Sequence, residues 1–151
     1  MGFNFICIFF NWLIVIIYYN YLGNKKETIL IPNGYIGNIY ITYDDAQGLY
    51  EKEYGAMIFR VPKSGVYKSK SSYYDKLYME QSNINFYYVD KYLNRKKLKY
   101  LYFFEKKDSL LYKNKIIVEN IFPQMNKEIP GVTYPYMVYK IDTFKTFYPD
   151  Y

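Results

Sequence analysis

The chain has no histidine and a single cysteine, Cys7. Those two absences remove most of the chemistry that its 151 residues could otherwise carry. Without histidine there is no Ser–His–Asp or Cys–His relay and no imidazole metal ligand. One cysteine excludes an intramolecular disulfide. Glycine is sparse, and Gly34 and Gly37 are too few to build a phosphate-cradling or dinucleotide-binding loop. Arginine occurs twice, at Arg60 and Arg95, against 18 lysines. The guanidinium fork that reads guanine or phosphate bidentately is therefore nearly missing, which disfavours nucleic acid as a partner.

What is present points to a folded domain. Apolar residues make up 51% of the chain, enough to build a core and too many for disorder over most of its length. Tyrosine is abundant, at 23 residues. Lysine, isoleucine, asparagine, phenylalanine and tyrosine share A/T-rich codons, so genome composition accounts for much of that excess. The rings also favour strands, because they pack well on a pleated surface. A net charge of +6 and a pI near 9.1 suit an anionic partner such as lipid headgroups or acidic polysaccharide.

From Phe3 to Leu22 the chain carries no charge. As a helix those twenty residues would span about 30 Å, the hydrocarbon thickness of a bilayer. Tyr18, Tyr19 and Tyr21 fall where an interfacial aromatic belt belongs. Three readings stay open: an uncleaved membrane anchor, a secretory signal peptide, or a buried segment of the domain. The first is preferred, since no Lys or Arg precedes the apolar run and Tyr21-Leu22-Gly23 is a poor cleavage site. Phe5 and Ile6 before Cys7 are not a lipobox, and Ile6 breaks the myristoylation pattern opened by Gly2. Lys25 and Lys26 after the run favour a cytoplasmic domain by the positive-inside rule, whereas a signal-like role would export it.

The remainder reads as short strands between turns. Expected strands are Glu27–Ile31, Tyr35–Tyr43, Met57–Val61, Val66–Ser69, Phe86–Asp90, Lys97–Phe104, Lys115–Val118 and Tyr136–Ile141. Ser69–Ser82 reads as a polar surface loop, and Asp142–Phe147 as one short C-terminal helical turn capped by Asp142 or Thr143. Two entries echo one another, Ile31-Pro32-Asn33-Gly34-Tyr35 and Val61-Pro62-Lys63-Ser64-Gly65, each a proline-to-glycine turn. No amphipathic stripe of a dozen residues follows residue 23. The expectation is all-β: a small β-sandwich or sandwich-like barrel over residues 27–148, preceded by an N-terminal membrane-spanning helix or signal-like segment over residues 1–23.

Ile31-Pro32-Asn33-Gly34-Tyr35-Ile36-Gly37, Tyr54-Gly55, Val61-Pro62-Lys63-Ser64-Gly65-Val66, Phe86-Tyr87-Tyr88-Val89-Asp90 with Arg95, and the closing Tyr136–Phe147 occur here in one order. That order resembles a small bacterial family catalogued as domain of unknown function 6843. The likeness covers Glu27 to Tyr148. It implies a small β domain with an extracytoplasmic location, because such proteins commonly carry an export or lipoprotein signal. It implies no catalytic residue and no cofactor.

Candidate sites are few. Asp44/Asp45 and Glu51/Glu53 are paired carboxylates that could open a calcium site, although a solvated hairpin tip is the simpler reading. Tyr73, Tyr74 and Tyr78 could form a ligand platform. Arg95, Lys96, Lys97 and Lys99, with Lys106 and Lys107 beyond, interleave charge with aromatic rings. That is the ingredient list of a polyanion, headgroup or single-stranded nucleic-acid groove. Alternatively, the lysines protect an exposed strand edge. The expected role is a membrane-tethered or exported, non-enzymatic accessory or binding module at the cell envelope. It would hold the membrane through its N-terminal segment and meet an envelope protein or polysaccharide. The alternative is a basic, tyrosine-rich polyanion or single-stranded nucleic-acid binder using the Arg95–Lys107 region.

Overall fold

Period-two burial organises the described residues into nine strands. These are β1 (Lys26–Pro32), β2 (Gly37–Thr42), β3 (Lys52–Glu53), β4 (Ala56–Arg60), β5 (Val66–Lys68), β6 (Ile84–Val89), β7 (Arg95–Leu101), β8 (Ile116–Ile121) and β9 (Tyr136–Thr143). Among the described residues, short helices accompany them at α1 (Tyr73–Leu77), α2 (Ser109–Tyr112) and α3 (Phe144–Phe147), besides the helical stretch 12–17. The structure is a computed structural model that describes residues 12–17, 26–77, 83–101, 109–112, 115–121, 129–132 and 135–147.

The strands form a single sheet in the order β3-β4-β1-β6-β7-β8-β9-β2-β5. β1 lies parallel to both β4 and β6, β2 to β5, and β7 to β8. The remaining neighbours are antiparallel. The fold is mostly β, as expected; of the small β-sandwich or sandwich-like barrel, the protein takes a form nearer the barrel, one sheet curled into a half-barrel. Tyr67 on the edge strand β5 packs against Phe59 on β4, near the opposite edge, with ring centroids 5.3 Å apart. The Tyr67 hydroxyl also donates to the Ile58 carbonyl at 3.4 Å. Strand twist accumulates over so wide a sheet, and curling lets its two ends share one interior.

Ile29, Ile31, Ile39, Ile41, Phe86 and Ile141 fill that interior together with Phe59 and Tyr139. Each such side chain contributes about 1.5–3 kcal/mol by leaving water. A second, smaller cluster of Leu101, Ile117 and Phe144 lies beside β7 and β8 and receives Tyr112 and Phe147.

The echoed turns interlock. Tyr35 N–H bonds the Pro32 carbonyl and Gly65 N–H bonds the Pro62 carbonyl, closing the two corners. The amide of Tyr40 then bonds the Gly65 carbonyl at 2.8 Å, and the Tyr35 hydroxyl bonds the Asn38 carbonyl at 2.6 Å. What reads as a repeated phrase in sequence is one packed junction where β2 meets β5.

The expected surface loop over Ser69–Ser82 is corrected at residues 73–77, which form α1. Ser72 supplies the carbonyl that receives Lys76 N–H, while the Asp44 carboxylate accepts Tyr73 N–H from 29 residues away. Lys76 is thereby turned inward, where its ammonium pairs with Glu27 of β1; both side chains are 3% exposed. Polar composition misled here because burial of this helix rests on a partner distant in sequence. The C-terminal helical turn forms as α3, with Thr143 immediately before it and its hydroxyl 2.8 Å from that of Thr146.

Among the described residues, no helix is long and apolar enough to cross a membrane, so no membrane-spanning helix is seen. Residues 12–17 are helical and exposed along their whole length. Cys7, Tyr78, Lys106, Lys107 and the rest of the leader lie outside the described residues.

Candidate functional site

The basic stretch of β7 is divided by the fold. Arg95 does not join its neighbouring lysines. Its guanidinium sits 2.8 and 3.0 Å from the two carboxylate oxygens of Glu53 on β3, 42 residues away. Arg60 reaches the same carboxylate at 3.7 Å and Glu51 at 2.9 Å, so both arginines are held by local acids. Arg95 is thus a structural tie between a strand and a short edge strand, and it leaves the anion-binding set.

Lys96, Lys97 and Lys99 line a cleft of about 470 Å³ together with Tyr88, Leu98, Tyr112, Lys115 and Ile116. On β7 Leu98 faces the core and the three lysines are exposed; by alternation Lys97 and Lys99 share the face opposite Leu98, while Lys96 falls on the Leu98 side. β7 and β8 are parallel, with Lys99 level with Ile117. Lys115, two residues before Ile117, therefore lies level with Lys97. The Lys115 backbone is pinned on both sides, its N–H bonding the Tyr112 carbonyl and its carbonyl accepting Phe144 N–H. The Nζ atoms of Lys99 and Lys115 lie 5.6 and 5.4 Å from the centroid of the same Tyr112 ring. Among the described residues, none of these four lysines meets a carboxylate. Sequence reasoning missed Lys115 and Tyr112 because only the parallel β7–β8 pairing brings them to the cleft.

The acidic candidates are engaged locally. Asp44 caps α1, Asp45 accepts Gln47 N–H and pairs with Lys68, and Glu51 and Glu53 hold the arginines. Of the proposed tyrosine platform, Tyr73 turns inward with its ring 5.7 Å from that of Tyr43, and Tyr74 is exposed. They do not form one surface.

A second concavity of about 680 Å³ opens where the parallel strands β4, β1 and β6 end, at Val61, Pro32 and Val89. Lys63 and Lys91 stand on its rim, and the exposed Tyr92 and Leu93 form the adjoining hairpin tip. Hydrogen bonds from the Asn94 side chain and from the amides of Asn94 and Tyr92 hold the Asp90 carboxyl below its usual range and fix this tip.

Buried tyrosines carry polar groups into the interior. The Tyr43 hydroxyl donates to Glu27 at 3.4 Å, and among the described residues the buried Tyr139 hydroxyl has no hydrogen-bond partner. Burial, then the Glu27 charge, pushes both phenols well above their usual range. Tyr67 is raised to about 12, by burial first and by Glu51 second, against an opposing pull from Arg60. Unfolded tyrosine loses its proton near pH 10, while these stay protonated in the native state. Their contribution is therefore complete below about pH 10 and is lost as pH climbs toward each folded value. Urea melts at rising alkaline pH should show that decline, with late phenolate absorbance appearing together with unfolding.

A small, mostly β domain with a curled sheet and no histidine chemistry is the class these features define. Within it, the chain belongs to the family of unknown function DUF6843, whose model matches residues 23–132. The closing β9–α3 segment lies beyond that match. No curated protein matches the chain. Among solved structures, it is similar to a Bacillus anthracis protein described as a "Putative Lipoprotein", with 15% identity and a TM-score of 0.48. That likeness covers 81% of this chain and 71% of the other.

Proposed function

We propose that this protein is a β domain tethered at the bacterial cell envelope, where it acts as a non-enzymatic accessory or binding module. The observation that carries the tether is the helical stretch 12–17. All six of its side chains are apolar and all are exposed, from Trp12 at 68% to Ile17 at 59%. A helix that is apolar all round is stable where something apolar surrounds it, and a bilayer does so on every side. The uncharged run Phe3–Leu22 supplies the length. The non-enzymatic role rests on the missing residue types, above all histidine.

The binding role draws support from the cleft, where four lysines gather without acidic partners among the described residues. That arrangement favours an anion over a neutral ligand. Nucleic acid is the weaker candidate, because Arg95 and Arg60 are both committed to carboxylates.

Alkaline carbonate extraction of cell membranes tests the tether. The full chain should remain in the pellet, and deletion of residues 1–22 should release it. Recovery of the full-length chain in the soluble cytoplasmic fraction would contradict the reading.

A further inference from the structure

We infer that Lys99, Lys115 and Tyr112 form a seat for one phosphate group, with Lys96 and Lys97 extending it along the cleft. The inference rests on the binding-module reading above and deepens it by naming the ligand chemistry.

Three observations lead there. Two ammonium groups are drawn to one ring, at 5.6 and 5.4 Å from its centroid. A cation over a ring is attracted to its face, but the ring does not neutralise it. Two ammonium groups on one ring concentrate positive charge at this end of the cleft, a field that favours an anion. Next, the carboxylate that the strand register brings near is already used. Ile117, level with Lys99, pairs across the sheet with Asp142. Asp142 in turn accepts Thr143 N–H at 2.7 Å and pairs with Lys140 at 3.6 Å. It therefore does not serve Lys99 or Lys115.

Last, the parts are held in place before any ligand arrives. The Lys115 backbone is bonded to Tyr112 and Phe144, and the Tyr112 ring packs on the Leu101–Ile117–Phe144 cluster, 6.4 Å from the Phe144 ring. Preorganisation of this kind lowers the ordering cost of binding. Lysine also suits the ligand, since it meets phosphate as a point charge with no need of the arginine fork. A cleft of about 470 Å³ admits a phosphate ester with its attached group, from either a lipid headgroup or a free ester.

The test is isothermal titration of inorganic pyrophosphate into the full chain in neutral detergent. The wild type should bind saturably at one site. The double variant Lys99→Gln/Lys115→Gln should bind at least about tenfold more weakly while melting at the wild-type temperature, and Lys99→Arg should retain binding. Lys70→Gln, an exposed lysine away from the cleft, should bind within about twofold of wild type. Absence of saturable binding, or equal weakening by Lys70→Gln, would overturn the inference.

Reconstitution separates the two sources. If phosphatidylglycerol vesicles weaken pyrophosphate binding relative to phosphatidylcholine in the wild type but not in the double variant, a lipid headgroup occupies the seat. Equal affinity in both vesicles assigns a free phosphate ester. A chain that stays in the membrane fraction yet binds no pyrophosphate would sink this site and leave the tether standing. Binding by a chain found in the soluble fraction would do the reverse.

Discussion

Glu27→Leu should destabilise the domain by about 3–5 kcal/mol, and Lys76→Met by a similar amount. Each single change strands the other charge in an interior where both side chains are 3% exposed. A buried charge without a partner carries its full desolvation cost, which is why breaking such a pair costs more than the pair itself contributes. The double variant Glu27→Leu/Lys76→Met should recover much of that loss, leaving it within about 2 kcal/mol of wild type. Tyr43 limits the recovery, because its hydroxyl loses the Glu27 acceptor. Urea unfolding of the four proteins forms a double-mutant cycle, and a coupling below about 0.5 kcal/mol would show that the pair is not the pin that holds α1 to β1.

The second large effect belongs to the junction of the two proline–glycine turns. Gly65 and Gly34 have almost the same backbone, φ 78° and 80°, where a side chain is disfavoured. Their surroundings differ. A Cβ at Gly34 meets nothing within 4 Å, whereas at Gly65 it would lie 2.7 Å from the Asn38 carbonyl oxygen and 2.2 Å from the Tyr35 hydroxyl oxygen. Gly34→Ala should cost about 1 kcal/mol, the backbone penalty alone. Gly65→Ala adds overpacking against backbone and should cost about 2–4 kcal/mol. Equal losses in the two variants would mean that the turns do not interlock as described.

These two sites show what sequence carries and what it does not. Strand positions were legible because alternation is local: Ile39 and Ile41 announce β2, and Tyr136–Ile141 announces most of β9. Even the helical turn after Thr143 could be read from its neighbours. Pairing was not legible. Nothing near β1 says that it lies between two parallel partners, and nothing near Phe59 says that Tyr67 will reach it from the other edge of the sheet.

The same division runs through the site. Lys96, Lys97 and Lys99 were visible as charge on a strand and do line a cleft. Arg95 looked identical to them, yet Glu53 captures it across 42 residues. Lys76 looked solvated until α1 turned it toward Glu27. Lys115 and Tyr112 entered the site only through the parallel register of β8 on β7. In each case the deciding partner is remote in sequence, so composition gave the ingredients and topology assigned them.

The proposed envelope tether would present the β domain on the outer side of a membrane by way of the apolar leader. Protease treatment of intact protoplasts carrying the full chain tests it most directly. The account predicts that the β domain is digested without lysis while a cytoplasmic control protein survives. A domain that remains intact until the protoplasts are lysed would contradict it.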